Sequence, residues 1–330
     1  MFLHLRYSNA LSAEAKGFAV LDSLLAIIPL FTLIGLGYVA RHTLLDVRML
    51  PALNQFVYYF AVPALLFNAA RKQSLDSLFN LPALAAFSLG VVLTGVLTYA
   101  LSRWVFACRD AEGLVMRMLN TIFANYAYMG IPLTFGLLGE ATHAATISII
   151  LAGNLLVIGG AQLLIEISRQ SQFSWLQVWR ILDKSLLRSP IFVSTVLGLI
   201  ASGLQLPLPK VMNSTLEMLA PAAIPVALFC LGASLQFKRT QTSVAEIATL
   251  ISVKLIAHPA LTWLAFVLIG VSDVIWLKAT LLLCALPTGA LVHVIAMRYN
   301  AFEQSSSQLI VLSTLLSLLT VTLWASLLSF

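Results

Sequence analysis

Apolar residues run along this chain in blocks separated by short polar connections. Many blocks reach roughly 20 residues, the length that lets a helix cross the hydrocarbon core of a bilayer. The period-two alternation of a transmembrane barrel strand is absent. The pattern therefore predicts an all-α integral membrane protein with ten transmembrane helices, at 22–41, 51–70, 82–107, 113–138, 144–167, 189–206, 214–236, 244–270, 274–299 and 305–329.

The longest polar stretch, 168–188, divides these predicted spans five and five. We therefore predict a first five-helix repeat at 22–167, a cytoplasmic linker at 168–188 and a second five-helix repeat at 189–330. Residues 1–21 lack the sustained apolar core of a signal peptide and are interpreted as an extra N-terminal segment.

Composition agrees with a bilayer as the solvent. The chain is 60% hydrophobic and 10% charged, whereas soluble domains carry about 25% charged residues. Its three cysteines are scattered without metal-ligand spacing, and no catalytic Ser/His/Asp pattern or nucleotide-binding loop is found. The sequence thus predicts no metal, no cofactor and no enzymatic activity.

The formal net charge of +6 raises the alternative of a nucleic-acid partner, but the distribution of basic residues argues against it. Of the 19 basic residues, 12 fall in the loops that follow the odd-numbered spans: Arg41, Arg48, Arg103, Arg109, Arg117, Arg169, Arg180, Lys184, Arg188, Lys238, Arg239 and Arg298. The positive-inside rule places these loops in the cytoplasm and both termini outside it. The expected surroundings are the lipid bilayer, with no nucleic acid.

An internal repeat is visible around two prolines. "AVPALLF" (61–67) in span 2 matches "AIPVALF" (223–229) in span 7, and Pro63 and Pro225 are 162 residues apart. Because each half contains an odd number of spans, the second copy enters the membrane from the opposite side. Such inverted repeats are typical of secondary transporters, which bind substrate near the midplane where discontinuous helices meet.

A similar offset pairs interruptions in spans 4 and 9. "FANYAYMGIP" (123–132) aligns with "CALPTGA" (284–290), so that Asn125 pairs with Thr288. Helix breaks in lipid need partners for their freed backbone groups. Spans 4 and 9 are therefore predicted to be broken crossover helices, with crossover or hinge positions at Ala124, Gly130, Pro132, Pro287, Pro63 and Pro225.

Polar residues at these breaks are candidates for substrate binding. The Asn125 amide can hold a carboxylate oxygen beside half-helix N-termini, or it can cap the broken helix. The Thr288 hydroxyl can bind substrate or satisfy freed backbone. Tyr126 can line the cavity or serve as a packing residue, and Gly289 permits close backbone approach.

Lys254 lies near the middle of span 8, where a lysine costs about 2.5–3.5 kcal/mol on insertion scales. Every Asp and Glu falls in a loop, a tail or a span end, so no acidic partner is expected at its depth. Lys254 is either a fixed charge for anion coupling or a ligand of backbone carbonyls. His258 follows on the same helix face. His293 is a candidate proton relay or a structural histidine.

Six motifs resemble the auxin efflux carrier family, which includes plant auxin exporters and bacterial malonate or malate carriers. They are "IPLFTLIGLGYVAR" (28–41), "FVYYFAVPALLF" (56–67), "FANYAYMGIPLTFGLLG" (123–139), "APAAIPVALFCLGASL" (220–235), "CALPTGALVHVIAMRYN" (284–300) and "LSTLLSLLTVTLWASLL" (312–328). The resemblance implies a fold related to bile-acid symporters, with a scaffold domain and a moving transport domain. It also implies a bacterial inner-membrane location.

The plant members have Leu-Pro-Asn at the first crossover, where this chain has Phe123-Ala124-Asn125 without the proline. The resemblance implies that Asn125 faces the substrate and that Asn154, near a substrate-contacting Gln of the plant carriers, does so too. It further implies that Lys254 stands where related symporters hold a cation.

The sequence thus predicts a secondary carrier for small organic anions of the carboxylate class, working by alternating access at a crossover of helices 4 and 9. A sodium-coupled symporter of the bile-acid type is the alternative within transport. An intramembrane enzyme and a non-transporting receptor are alternatives from other classes. The oligomeric state is open, and a homodimer is one of the alternatives.

Overall fold

The computed structural model describes residues 27–73, 78–169, 188–235 and 240–328, together with Leu25, Trp179 and Asp183. Within these residues the chain is helical and forms no β-strand. The helices are α1 Ile27–Thr43, α2 Leu50–Ala70, α3 Leu81–Val105, α4 Ala111–Ile122, α5 Ile131–Leu138, α6 Glu140–Arg169, α7 Pro190–Gly203, α8 Lys210–Ser234, α9 Val244–Ile269, α10 Val274–Cys284, α11 Leu291–Tyr299 and α12 Glu303–Leu328. The predicted segment 1–21 and most of the predicted linker 168–188 lie outside the described residues.

Six of these helices, α2, α3, α6, α8, α9 and α12, are long and apolar enough to cross a membrane. The all-α membrane class predicted from the sequence is therefore confirmed. The predicted spans 4 and 9 each contain two shorter helices, α4 with α5 and α10 with α11. The interruptions lie between α4 and α5 and between α10 and α11.

Several helices begin at a polar cap that the sequence supplies. The Asp110 carboxylate accepts a hydrogen bond from the Gly113 backbone N–H at 2.7 Å, at the start of α4. The Asp273 carboxylate does the same for Ile275 and Trp276 at the start of α10. Such caps satisfy backbone donors that have no partner within the helix.

Three π turns occur immediately before prolines. They are Val57–Ala61 before Pro63, Tyr126–Gly130 before Pro132, and Val253–Ala257 before Pro259. A proline cannot donate to the carbonyl four residues earlier, and its ring clashes with that carbonyl. A wider turn removes the conflict and leaves carbonyl groups available to other partners. The Leu255 carbonyl, for example, accepts a hydrogen bond from Trp324 Nε1 at 3.1 Å.

Glycines bring two pairs of helices into backbone contact. Gly37 on α1 lies against the Phe229 carbonyl of α8, and Gly198 on α7 lies against the Phe67 carbonyl of α2. Helices in lipid associate largely through close packing of small residues, because lipid is as apolar as their side chains. These glycines therefore hold α1 to α8 and α2 to α7.

Gly37→Ala should destabilise the folded protein by roughly 1–3 kcal/mol, the usual cost of overpacking, because its Cβ would overlap the Phe229 carbonyl oxygen. Gly35→Ala, in the same helix, is the matched control, because nothing lies near the added Cβ there. Thermal unfolding of both variants in detergent checks the difference. Equal midpoints for the two variants would contradict the packing described.

Polar contacts divide the loops between two ends of the bundle. At the first end, named the basic end, three arginines form hydrogen bonds or ion pairs between segments. Arg41 donates to the Ala233 carbonyl, Arg169 donates to Glu112 and to the Tyr299 carbonyl, and Arg117 pairs with Glu246. The opposite end carries Arg71 to Asn213, Ser202 to the Gln73 carbonyl, and Lys72 to Glu140. Each of these contacts joins loops or helix ends that the distribution of basic residues assigns to the same side of the membrane.

Candidate functional site

The centre of the molecule is a crossing of two extended segments. Ala124 and Thr288 form an antiparallel β-bridge. The Asn125 N–H donates to the Pro287 carbonyl at 2.9 Å, and the Gly289 N–H donates to the Phe123 carbonyl at 3.1 Å. Each break thus satisfies backbone groups of the other, as helix breaks in an apolar setting require. The first segment is extended although it has no proline, with ψ of 113° at Phe123.

A polar cluster behind the crossing holds it in place. The Thr288 hydroxyl donates to the Asn120 carbonyl at 2.8 Å, and the Thr288 N–H donates to Ser313 Oγ at 3.1 Å. The Asn120 side chain donates to Ser306 Oγ at 2.9 Å. Sequence reasoning missed Asn120, Ser306 and Ser313, although each is a polar residue within a predicted apolar span. The Thr288 hydroxyl thus satisfies a freed backbone carbonyl, and its role toward a substrate stays a prediction.

A cavity of about 750 Å³ adjoins the crossing. Its walls come from the start of α2, the break before α5, the middle of α6, the start of α7, the end of α8, the N-terminus of α11 and the first turns of α12. The lining residues are Pro51, Asn54, Gln55, Tyr58, Tyr59, Phe123, Ala124, Asn125, Tyr126, Tyr128, Ile150, Asn154, Ile191, Ser234, Leu235, Gly289, Ala290, Leu291, His293, Val294, Ser307, Ile310 and Val311. Most of these helix parts lie near the basic end.

Asn125 is the buried polar residue that the crossing presents to this cavity. It is 4% exposed, and its Nδ2 has no hydrogen-bond partner among the described residues. Its backbone carbonyl accepts from the Met129 and Gly130 N–H groups and so begins the turn into α5. A buried amide donor without a partner costs about 1–3 kcal/mol. Asn125 is therefore suited to donate to a bound molecule.

The other predicted binding residues take different positions around the cavity. Asn154 lines it from a π turn of α6, Gly153–Gly159. Tyr126 also lines it, but its ring packs against Gly153 and its hydroxyl donates to the Ile122 carbonyl at 3.3 Å. Gly289 lines it where an added Cβ would lie 2.7 Å from the Phe123 ring. Their roles toward a substrate stay predictions.

The predicted hinge positions fall at irregular backbone. Ala124 and Pro287 lie in the crossing itself. Gly130 ends the π turn before Pro132, and an added Cβ at Gly130 would lie 2.6 Å from the Leu283 side chain. Pro63 follows the π turn of α2, whereas its counterpart Pro225 follows a 3₁₀ turn, Ala220–Ala222.

Lys254 and His258 lie behind the crossing and do not line the cavity. Lys254 Nζ is 3.0 Å from His258 Nδ1 and donates to the Cys284 carbonyl at 3.1 Å. The lysine is 1% exposed, and its contacts among the described residues include no carboxylate. Cys284 is the last residue of α10, and a cation is favourable at a helix C-terminus because the helix dipole is negative there.

A helical bundle with paired helix breaks beside a central cavity is typical of membrane transport proteins. The family model described as "Membrane transport protein" matches residues 22–325. The chain belongs to this family, the auxin efflux carrier family that the sequence motifs predicted. It is a family of transporters and not of enzymes.

Individual relatives agree with this assignment. The chain is 32% identical over 308 residues to a Rhizobium meliloti protein named "Putative malonate transporter", covering 90% of this chain and 92% of the relative. It is 25% identical over 309 residues to an uncharacterized transporter of Methanothermobacter thermautotrophicus, covering 91% of this chain and 96% of the relative.

Among solved structures, the sodium proton antiporter MjNhaP1 from Methanocaldococcus jannaschii aligns with a TM-score of 0.52 at 12% identity. The alignment covers 97% of this chain and 98% of the antiporter. At this identity the likeness concerns the fold alone.

Proposed function

We propose that the chain is a secondary carrier for small organic anions of the carboxylate class, which bind at the crossing and move by alternating access. The observation that carries the proposal is the buried Asn125 amide beside the cavity. Two half-helices begin at this cavity, one after Asn125 and one at Leu291. Helix N-termini attract anions through their unpaired N–H groups and positive dipole ends.

The lining of the cavity supports an anionic rather than a cationic substrate. Among the lining residues there is no Asp or Glu, while amides, hydroxyls and phenols supply hydrogen-bond donors. The Rhizobium meliloti relative is named for transport of a dicarboxylate, malonate. We therefore place small mono- and dicarboxylates first among candidate substrates.

The architecture we propose is ten spans in a five-plus-five inverted repeat. Gly37 and Gly198 are 161 residues apart, and the carbonyls that they contact, Phe229 and Phe67, are 162 apart. The two contacts thus correspond to each other under nearly the same sequence offset, as expected when a two-fold operation relates two halves. The bridge between Ala124 and Thr288, 164 residues apart, lies where that axis would pass.

The position of the cavity supports a conformation in which the site is accessible from one side of the membrane, as in one step of an alternating-access cycle. The cavity is walled mainly by helix parts near the basic end. Toward the opposite end, the segment Val62–Ala70 of α2 contacts His143–Ala152 of α6. With the basic end in the cytoplasm, this is an inward-facing state of an inner-membrane protein.

The proposed orientation predicts the labelling of introduced cysteines. In a background without the native cysteines, Arg48→Cys should react with an impermeant thiol reagent only from the cytoplasmic side, and Lys72→Cys only from outside. Both positions are exposed, and they flank α2. The reverse pattern would overturn the orientation, and labelling of both from one side would contradict the span between them.

We further propose that Lys254 acts as a built-in cation. Its ammonium contacts a carbonyl oxygen and a ring nitrogen in the manner of a bound metal ion. A fixed positive charge behind the crossing would attract an anion without help from sodium. Transport should then be independent of sodium, in contrast to a bile-acid-type symporter.

A thermal-shift screen of purified protein tests the substrate class. A ligand at 100 times its dissociation constant stabilises the folded state by about 2.7 kcal/mol. Malonate, oxalate, malate and acetate are compared with uncharged malonamide. We expect at least one carboxylate, and not malonamide, to raise the unfolding temperature. An anion site would be contradicted if malonamide alone raised the unfolding temperature. It would also be contradicted if no compound in a broad carboxylate series raised it.

A further inference from the structure

Among the described residues, no permanently charged side chain lines the cavity. None of its lining residues is an Asp, Glu, Lys or Arg. Lys254, the buried cation nearby, donates to the Cys284 carbonyl behind the crossing instead. A small dianion entering this cavity would therefore meet helix dipoles and hydrogen-bond donors, but no full positive charge among the lining residues.

His293 is the lining residue that can gain such a charge near neutral pH. The imidazole is the one side chain whose unperturbed charge change falls between about pH 5 and 8. His293 lies in the first turn of α11, and Ala290, Leu291 and Val294 line the cavity beside it. These positions are one to four residues apart on one helix face, so the imidazole and the α11 N-terminus belong to the same wall.

The other titratable groups among the described lining residues are phenols. Tyr58 and Tyr59 come from α2, and Tyr126 and Tyr128 come from the turn before α5. The described lining residues of α6, α7, α8 and α12 include no titratable group. Phenols are neutral at physiological pH and cannot supply a cation.

Charged groups do occur at the far end of α11, where each forms a hydrogen bond or an ion pair with a neighbouring side chain. Arg298 donates to Gln162, and Arg169 forms an ion pair with Glu112. The Tyr299 hydroxyl donates to Glu166 at 3.0 Å. None of these residues lines the cavity. Among the described lining residues, a change in charge between pH 6 and 8 therefore falls to His293.

We propose that His293 binds a proton together with the anion, so that the carrier moves an anion and a proton in the same direction. This inference rests on the proposed function and adds the coupling ion to it. The imidazole takes up one proton, and the imidazolium pairs with a carboxylate of the substrate. When the anion leaves, the proton leaves with it. Because the bound anion favours the protonated ring, anion affinity rises as the pH falls.

The test measures binding of oxalate and malonate to full-length protein by calorimetry at pH 6, 7 and 8. Both oxalate carboxyls stay ionised across this range, so a change in oxalate affinity reports on the protein. We expect oxalate to bind about tenfold more tightly at pH 6 than at pH 8, the scale of one linked proton. Titrations at pH 7 in buffers of different ionisation enthalpy should give proton uptake on binding.

His293→Asn and His293→Gln remove the titration and keep a polar side chain. Each should bind oxalate with the same affinity at pH 6 and pH 8, and without proton uptake. His42→Asn is the matched control, because His42 is an exposed residue at the end of α1 and lies outside the cavity. This control should keep the pH dependence of the wild type. If one His293 variant fails to fold, the other variant and the proton uptake measured for the wild type still test whether His293 is the titrating group.

The outcomes separate this inference from the proposed function. Wild-type affinity that is equal at pH 6 and 8 would overturn the role of His293 and leave the anion site standing. A pH dependence that persists in both His293 variants would place the titrating group elsewhere and also overturn it. Failure of the wild type to bind oxalate or malonate at any pH would overturn the proposed function and this inference with it.

Discussion

Lys254→Gln should weaken anion binding and transport about tenfold, which corresponds to about 1.4 kcal/mol. At an assumed separation of roughly 8 Å and an effective dielectric constant of about 20, a unit charge attracts an anion by about 2 kcal/mol. Glutamine can still donate to the Cys284 carbonyl, so the loss should fall on function more than on folding. Lys254→Arg keeps the charge but not the compact ammonium, and it should retain part of the activity.

The measurement for Lys254 is malonate flux into liposomes, with sodium and with potassium as the cation. Wild-type flux should be the same in both salts. Lys278→Gln is the matched control, because it removes a lysine of α10 that does not line the cavity. Should wild-type flux require sodium, or should Lys254→Gln transport as well as the wild type, Lys254 is a structural ligand of the Cys284 carbonyl.

Asn125→Ala should weaken carboxylate binding by about 1–3 kcal/mol, the scale of one lost hydrogen bond in a buried site. The fold should persist, because the Asn125 contacts that hold the crossing are made by its backbone N–H and carbonyl. Alanine retains both groups. Calorimetric titration with malonate, beside thermal unfolding without ligand, measures the two effects separately.

Asn120→Ala is the informative contrast to Asn125→Ala. The Asn120 side chain donates to the Met116 carbonyl and to Ser306 Oγ behind the crossing, and it does not line the cavity. Its removal should lower the unfolding temperature by more than the removal of the Asn125 side chain. Normal malonate affinity in Asn125→Ala would refute its assignment as a substrate ligand.

Much of the helical frame could be predicted from sequence because it depends on local chemistry. Apolar runs define helices, and residues such as Asp110 and Asp273 begin them. The breaks near Asn125 and Pro287 were also visible, since polar residues, glycine and proline interrupt apolar segments there. The family itself could be recognised from the motifs.

Features that depend on long-range contact could not be predicted. Thr288 appeared as a possible ligand, yet its hydroxyl meets the Asn120 carbonyl, 168 positions away in the chain. Lys254 lacked an acidic partner in the sequence, but nothing there indicated that the Cys284 carbonyl would accept its hydrogen bond. The end of the bundle at which the cavity lies depends on how the helices pack together, which no local pattern records.

Counterflow in liposomes tests the central claim most directly. Liposomes loaded with unlabelled malonate and containing the purified protein are diluted into a trace of labelled malonate. A carrier that exposes one site alternately to each side predicts a transient accumulation of label above its equilibrium level, greatly reduced in Asn125→Ala. Absence of this overshoot for malonate, oxalate, malate and acetate alike, with protein shown to be folded, would contradict an organic-anion carrier.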